Sequence, residues 1–132
     1  MRLLLDTHVF LWFISGDQRL PTNWRDVIRD SENNVYLSVV SCWEAIIKNR
    51  IGKLPLPSPP ESYLPAQRLR HRIESLPVDE VSVCQLGTLP PAHRDPFDRM
   101  LVCQAIVNDL TIMTVDDMFQ NYSAPILSRD PA

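Results

Sequence analysis

The sequence has no apolar run approaching the roughly 20 residues that a membrane span needs. Near its start a single Arg2 precedes Leu3-Leu4-Leu5, too short for the apolar region of a signal peptide. A cytoplasmic protein without membrane contact is expected. Cysteine is sparse: Cys42, Cys84 and Cys103 are odd in number, form no C-x-x-C pair and have no histidine at zinc-like spacing. Three reduced, buried thiols are expected, not a disulfide framework or a zinc site. Basic residues are not in excess either, with 13 Lys and Arg against 16 Asp and Glu. The net charge of −3 speaks against tight electrostatic binding of nucleic acid by the bare protein, since that binding rests on cations neutralising phosphates. A bound divalent ion would reverse the local sign, so a nucleic-acid substrate stays open.

A length of 132 residues and 45% hydrophobic content suit one globular domain with a real core, spanning 1–132. Short apolar or β-branched runs at Arg2 to Leu5, Val35 to Val39, Thr111 to Val115 and Pro125 to Leu127 are strand-like, and Leu76 to Val78 reads as another short strand. Helical stretches lie between them at Val9 to Ile14, Thr22 to Arg29, Cys42 to Arg50, Glu61 to Ile73 and Pro96 to Asn108. Strands alternating with helices imply a parallel sheet covered on both faces. Gly52 stands where a helix C-terminal cap is favoured, and Leu54-Pro55-Leu56-Pro57-Ser58-Pro59-Pro60 cannot be helix or central strand, so it reads as a stiff surface connection. The last long helix is apolar most of the way round and is expected to be deeply buried.

Four acids close or follow these runs: Asp6, Glu44, Asp98 and Asp116. Each has a plain explanation. Ser41-x-x-Glu44 has the form of a capping box. In Asp95-Pro96-Phe97-Asp98, Asp95 suits the N-cap, Pro96 the first helical position and Asp98 the positive end of the dipole. Asp6 and Asp116 suit caps at strand-to-helix turns. Their conjunction is harder to dismiss, because ligands of an open parallel sheet bind outside the carboxyl ends of its strands, where helix N-termini also point. Clustered carboxylates repel one another and raise their own pKa values unless a cation sits between them. Oxygen ligands without a Cys or His cluster favour Mg²⁺ or Mn²⁺. Such a site suits phosphodiester hydrolysis by metal-activated water and requires no Ser, Cys or His nucleophile. Thr7 and Ser41 are placed to bond a neighbouring carboxylate or a water, or to cap. His8 reads as a packed or solvent-facing helix residue, His93 as a loop residue.

Leu4-Leu5-Asp6-Thr7-His8, Ser38 to Lys48 with its continuation Arg50 to Leu56, His93-Arg94-Asp95-Pro96-Phe97-Asp98-Arg99 with Leu101 to Ala105, and Thr114-Val115-Asp116 together resemble the PIN-domain nucleases, specifically the toxin subunits of VapBC-type toxin–antitoxin pairs. The resemblance covers nearly the whole chain. It implies a PIN-like three-layer α/β/α fold with a central parallel sheet of four to five short strands, and a Mg²⁺- or Mn²⁺-dependent endoribonuclease. Asp6, Glu44, Asp98 and Asp116 become the catalytic acids, with Asp6, Asp98 and Asp116 holding metal and Glu44 orienting water or a second ion. Thr7, Ser41, Asp95 and Thr114 are expected to support those acids, and Arg94, Arg99 and Lys48 are candidate substrate contacts. Asp117 is expected to be exposed. Val115 departs from relatives that often carry a basic residue there, which removes one substrate contact. The resemblance also implies a small antitoxin partner with a DNA-binding domain, and a homodimer. Trp12, Phe13 and Trp24 read either as a partner patch or as core, and Arg68, Arg70 and Arg72 with His71 either as an RNA guide or as a solvated helix face.

Four other readings compete. A non-catalytic PIN-like binding module would use its acids only as caps. A DNA-cleaving PIN-type nuclease would need additional DNA-binding elements. An aspartate-nucleophile phosphatase wants a second Asp two positions after Asp6, where His8 stands, and a phosphorylated receiver wants a Lys after the strand at Thr111 to Val115, where none follows.

Overall fold

The computed structural model describes residues 1–91 and 95–128. Five strands, β1 (Arg2–Leu5), β2 (Asn34–Ser38), β3 (Glu74–Leu76), β4 (Thr111–Met113) and β5 (Ile126–Leu127), form one sheet in the order β3-β2-β1-β4-β5. Every pairing is parallel, as the alternation of strands and helices predicts. The central strand explains why. Leu3, Leu4 and Leu5 are wholly buried, with Leu3 and Leu5 in the core on one face of the sheet and Leu4 in the core on the other. A strand covered on both faces needs a continuous apolar run, and each such leucine contributes about 1.5–3 kcal/mol of burial. Register carries the pattern to β4, where Leu4 faces Ile112 and Leu5 faces Met113.

Helices α1 (Thr7–Ser15), α2 (Trp24–Arg29), α3 (Val39–Arg50), α4 (Pro60–Arg70), α5 (Glu80–Cys84) and α6 (Pro96–Asn108) cover the sheet. α6 spans the predicted residues, and its Leu101, Val102, Cys103 and Ala105 are fully buried. Gly52 adopts φ 78° beyond α3, where its N–H bonds the Asn49 carbonyl and the N–H of Lys53 reaches back to Lys48. Those paired bonds are a Schellman closure, which needs the left-handed conformation that glycine reaches without strain.

Several expectations are corrected. α3 begins at Val39, with Ser38 as its cap accepting from Val40 N (3.0 Å), so Ser41 and Glu44 lie inside the helix and form no capping box. α4 ends at Arg70, and the strand read at Leu76 to Val78 lies earlier, at Glu74–Leu76. α5, capped by Asp79 at the Ser82 amide, and the 3₁₀ turn Gln85–Thr88 were not expected from the sequence. Of the three free thiols only Cys103 is buried; Cys42 is half-buried and Cys84 exposed. Phe13 and Trp24 belong to the core, whereas Trp12 is half-buried. Among the described residues, no helix is long and apolar enough to cross a membrane.

Candidate active site

The chain runs from β1 to β2 and β3 on one side of the sheet, then returns to β4 and β5 on the other. The boundary between β1 and β4 is therefore the topological switch point, where open α/β sheets bind ligands. Beyond the carboxyl ends of these two strands lies a cleft of about 450 Å³ lined by Asp6, Glu44, Asp95, Asp98, Asp116, Lys48, Val115, His8, Trp12 and Arg19. Acids from four separated chain segments meet there.

Asp6 follows β1 directly, its N–H bonding the Met113 carbonyl at 3.0 Å. It occupies the N-cap position of α1 but makes no capping bond. Its carboxylate instead accepts from the buried Thr114 hydroxyl across the switch point, Oγ1 to Oδ2 2.7 Å. Burial pushes the Asp6 carboxyl above the ordinary carboxylate value, with the Glu44 charge adding to the rise and the Thr114 bond, His8 and the Thr7 amide opposing it. A capping role does not account for this residue. Thr114 has a second task, accepting from the Asp116 amide at 3.0 Å, so one hydroxyl fixes the acids of both neighbouring strand ends.

Glu44 is 3% exposed on α3. Thr7 Oγ1 bonds its Oε1 at 2.8 Å and lies 2.9 Å from the Ser41 hydroxyl, while Lys48 one turn on forms an ion pair with Oε2. Thr7 and Ser41 thus hold an acid and do not cap. Burial disfavours the Lys48 ammonium, but the bond and charge of Glu44 together with Asp95 and Asp98 outweigh it and raise its pKa. Lys48 is the counter-ion built into the acid cleft.

Asp95 does cap α6, accepting from Phe97 N (2.8 Å) and Asp98 N (3.2 Å), and Pro96 takes the first helical position. Its capping bonds turn Asp98, buried at 9% exposure, to line the cleft. Asp116 accepts from Met118 N at 2.9 Å, so it caps the following 3₁₀ turn while lining the same cleft; Asp117 is exposed as expected. Arg99 donates to the Pro90 carbonyl at 2.8 Å and is not part of the cleft lining. His93 and Arg94 lie outside the described residues. Arg68 is engaged with the Ile73 carbonyl, and His71 packs edge-on against Phe13.

A profile of the PIN domain matches residues 3–125. The chain belongs to the PIN-domain family. It is 42% identical over 55 residues to Ribonuclease VapC16 of Mycobacterium tuberculosis (strain ATCC 25618 / H37Rv); that stretch is 42% of this chain and 39% of the relative, so the match spans about two fifths of the curated relative's length. The PIN fold is shared over nearly full length with VapBC2 from Rickettsia felis bound to a DNA fragment from its promoter (TM-score 0.74, 16% identity, 97% of this chain and 98% of the other). DNA-bound VapBC from Salmonella typhimurium gives TM-score 0.72 at 16% identity, covering 98% and 99% of the two chains. FitAcB from Neisseria gonorrhoeae gives 0.65 at 20% identity, covering 96% and 97%.

The donor set of this PIN domain fits a hard divalent cation. It offers carboxylate oxygens without thiolate, and one of them is buried with its pKa already raised by desolvation and a like charge. Among the described residues no three His, Cys, Asp or Glu side chains are arranged to hold an ion as they stand. Mg²⁺ commonly takes one or two carboxylates directly and reaches the rest through its waters, so the match is in chemistry and not in a preformed cage. Sequence reasoning missed three residues of the cleft wall, Trp12, Arg19 and the cleft-facing position of His8. A signal for Arg19 was present in Gly16-Asp17-Gln18-Arg19, an acid two residues before an arginine in a turn.

Proposed function

We propose that this PIN domain is a Mg²⁺- or Mn²⁺-dependent endoribonuclease and the toxin of a toxin–antitoxin module. The observation that carries the reading is that Asp6 and Glu44, buried and not used as helix caps, share one switch-point cleft with Asp98 and Asp116. Asp6, Asp98 and Asp116 are the residues that would hold the ion. When bound, a divalent ion supplies a water of lowered pKa and positive charge for the attacked phosphate.

The chain's own residues do the rest. Glu44, its Oε1 fixed by Thr7, accepts a bond from the attacking water and orients it. Thr114 keeps the Asp6 carboxylate from turning into α1, where a capping bond would otherwise draw it. The Lys48 ammonium lies among the acids and draws the substrate phosphate toward a cleft that would otherwise repel it. Arg94 and Arg99 remain candidates for contacts to RNA farther from the cleft.

The partner in this reading is a small antitoxin protein with a DNA-binding domain, the toxin itself is a homodimer, and both act in the cytoplasm. The names of the VapC and VapBC relatives support this, as does the apolar face described below. The capping bonds of Asp95 and Asp116 favour a second reading, a non-catalytic PIN-like module, but that reading leaves Asp6 and Glu44 unexplained. Incubation of the purified protein with total RNA and Mn²⁺, followed by mapping of the new ends, tests the proposal. Internal cuts that vanish in Asp98→Asn are expected; equal cutting by Asp98→Asn would overturn the assignment.

A further inference from the structure

The acid cleft does not end at its acids. His8, Trp12 and Arg19 also line an adjoining groove of about 370 Å³, which continues past Leu54 and Leu56 to Lys53. The two hollows share the wall formed by these three side chains and differ sharply in character. The cleft end is acidic, whereas the groove carries Arg19 and Lys53 with a single acid, Asp17.

That acid is already committed to Arg19. Gly16 closes α1 in the left-handed region (φ 68°), and the Asp17 amide bonds the Trp12 carbonyl at 3.0 Å. Asp17 then accepts from the Arg19 backbone amide at 2.9 Å and from Nη2 at 2.7 Å, with Nε also in reach. The guanidinium beside Asp17 lowers its carboxyl to about 2, so the pair stays charged at any working pH. Held this way, the guanidinium carbon lies 5.2 Å from the centre of the Trp12 ring. Nη1 makes no hydrogen bond within the described residues and remains to meet a ligand.

We propose that this groove binds the single-stranded RNA segment flanking the scissile phosphate, with a base laid against the Arg19–Trp12 pair and a backbone phosphate drawn to Arg19 and Lys53. The proposal rests on the ribonuclease reading of the adjoining cleft. A fixed aromatic ring, a guanidinium with unused donors and a cationic rim are what single-stranded nucleic acid takes, because every base has a face to stack and every linkage a charge. A duplex keeps its bases stacked on one another and offers none to the indole. The apolar floor at Leu54 and Leu56 suits base faces. The shared wall gives the strand its course, since a segment held in the groove and passing Trp12 reaches the acid cleft.

The test is the dissociation constant of a short fluorescein-labelled single-stranded RNA, measured by anisotropy on the full chain carrying Asp6→Asn so that nothing is cut. Adding Trp12→Leu or Arg19→Gln is expected to weaken binding about tenfold, the order of one lost base–aromatic stack, while Trp12→Phe stays within about twofold. Arg19→Gln should also flatten the dependence of log K on log salt by about 0.7, the contribution of one phosphate contact on a single strand. Arg19 is an exposed side chain, so its variant carries the test if Trp12→Leu fails to fold. Unchanged affinity and salt slope in Arg19→Gln would overturn the proposal and leave the groove to a protein segment. If the unsubstituted protein cuts RNA while the variants bind normally, only the groove assignment falls. If it cuts no RNA yet the variants bind more weakly, the nuclease reading falls and the groove stands.

Discussion

Asp6 shows how one residue can be unfavourable for the fold and needed for the site. Its carboxyl is raised above the ordinary value by burial, so the folded protein holds that proton more tightly than the unfolded chain does. Stability contributed at this position therefore falls as pH rises from the ordinary carboxylate range toward the raised folded value. Asp6→Asn removes the charge and keeps an acceptor for Thr114. In the absence of divalent ions it is expected to melt at a higher temperature than the unsubstituted protein at pH 7, with the gap closing toward acid pH, while cleavage is abolished. A lower melting temperature at pH 7 would show that the ionised group is not a burden. The acid itself was legible in the sequence as the end of an apolar run, but its state was not. Only the Thr114 hydroxyl, 108 residues away, separates a capping aspartate from one held toward a cleft.

At the scale of elements, alternation of apolar runs and helical stretches gave β1 and α6 residue for residue and the start of β4, which ends at Met113, two residues before the expected Val115. Errors fell where local and tertiary preferences diverge. Val39 is β-branched and read as the end of a strand, yet Ser38 caps the chain into α3 at that point. β3 is an edge strand with an exposed, exposed, half-buried pattern, so it carries no alternation to read. α5 has five residues and only the Asp79 cap on the Ser82 amide as a local signal, with packing on α6 holding the rest. The junction at Ser38 also joins elements, since its hydroxyl donates to the buried Gln104 on α6 at 2.6 Å, and Gln104 donates to the Pro77 carbonyl beyond β3. Ser38→Ala loses a cap and leaves a buried acceptor unpaired, an expected cost of about 2–3 kcal/mol. In urea unfolding this is a lower midpoint at unchanged m; a change under about 0.5 kcal/mol would remove Ser38 from that role.

The whole molecule presents two faces with different needs. One is the acid cleft with its groove. The other is an apolar hollow of about 460 Å³ between α3, α5 and α6, bordered by Val39, Val83, Met100 and Trp43, whose indole is 59% exposed and packs edge-on against Phe97. The homodimer proposed above would be served by this face, since exposed apolar surface of this kind marks association sites. Sedimentation of the purified chain is expected to give a dimer that Trp43→Glu converts to a folded monomer; a dimer undisturbed by that change would move the interface elsewhere. How the acids act together is also a property of the whole, because β1, α3, α6 and the end of β4 each bring one. The blocks around those acids were legible in the sequence, whereas Arg19 joined the wall only through the turn at Gly16, which brings it over Trp12 on α1.

Whether these acids are gathered for a cation decides the chemistry of the cleft. Calorimetric titration of Mn²⁺ into the metal-free protein measures this directly. Saturable binding is expected, at least tenfold weaker in Asp6→Asn, as follows from losing one charged ligand worth about 1.4 kcal/mol or more. No binding to the unsubstituted protein, or equal binding to the variant, would contradict it and leave the cleft without a cation to gather its acids.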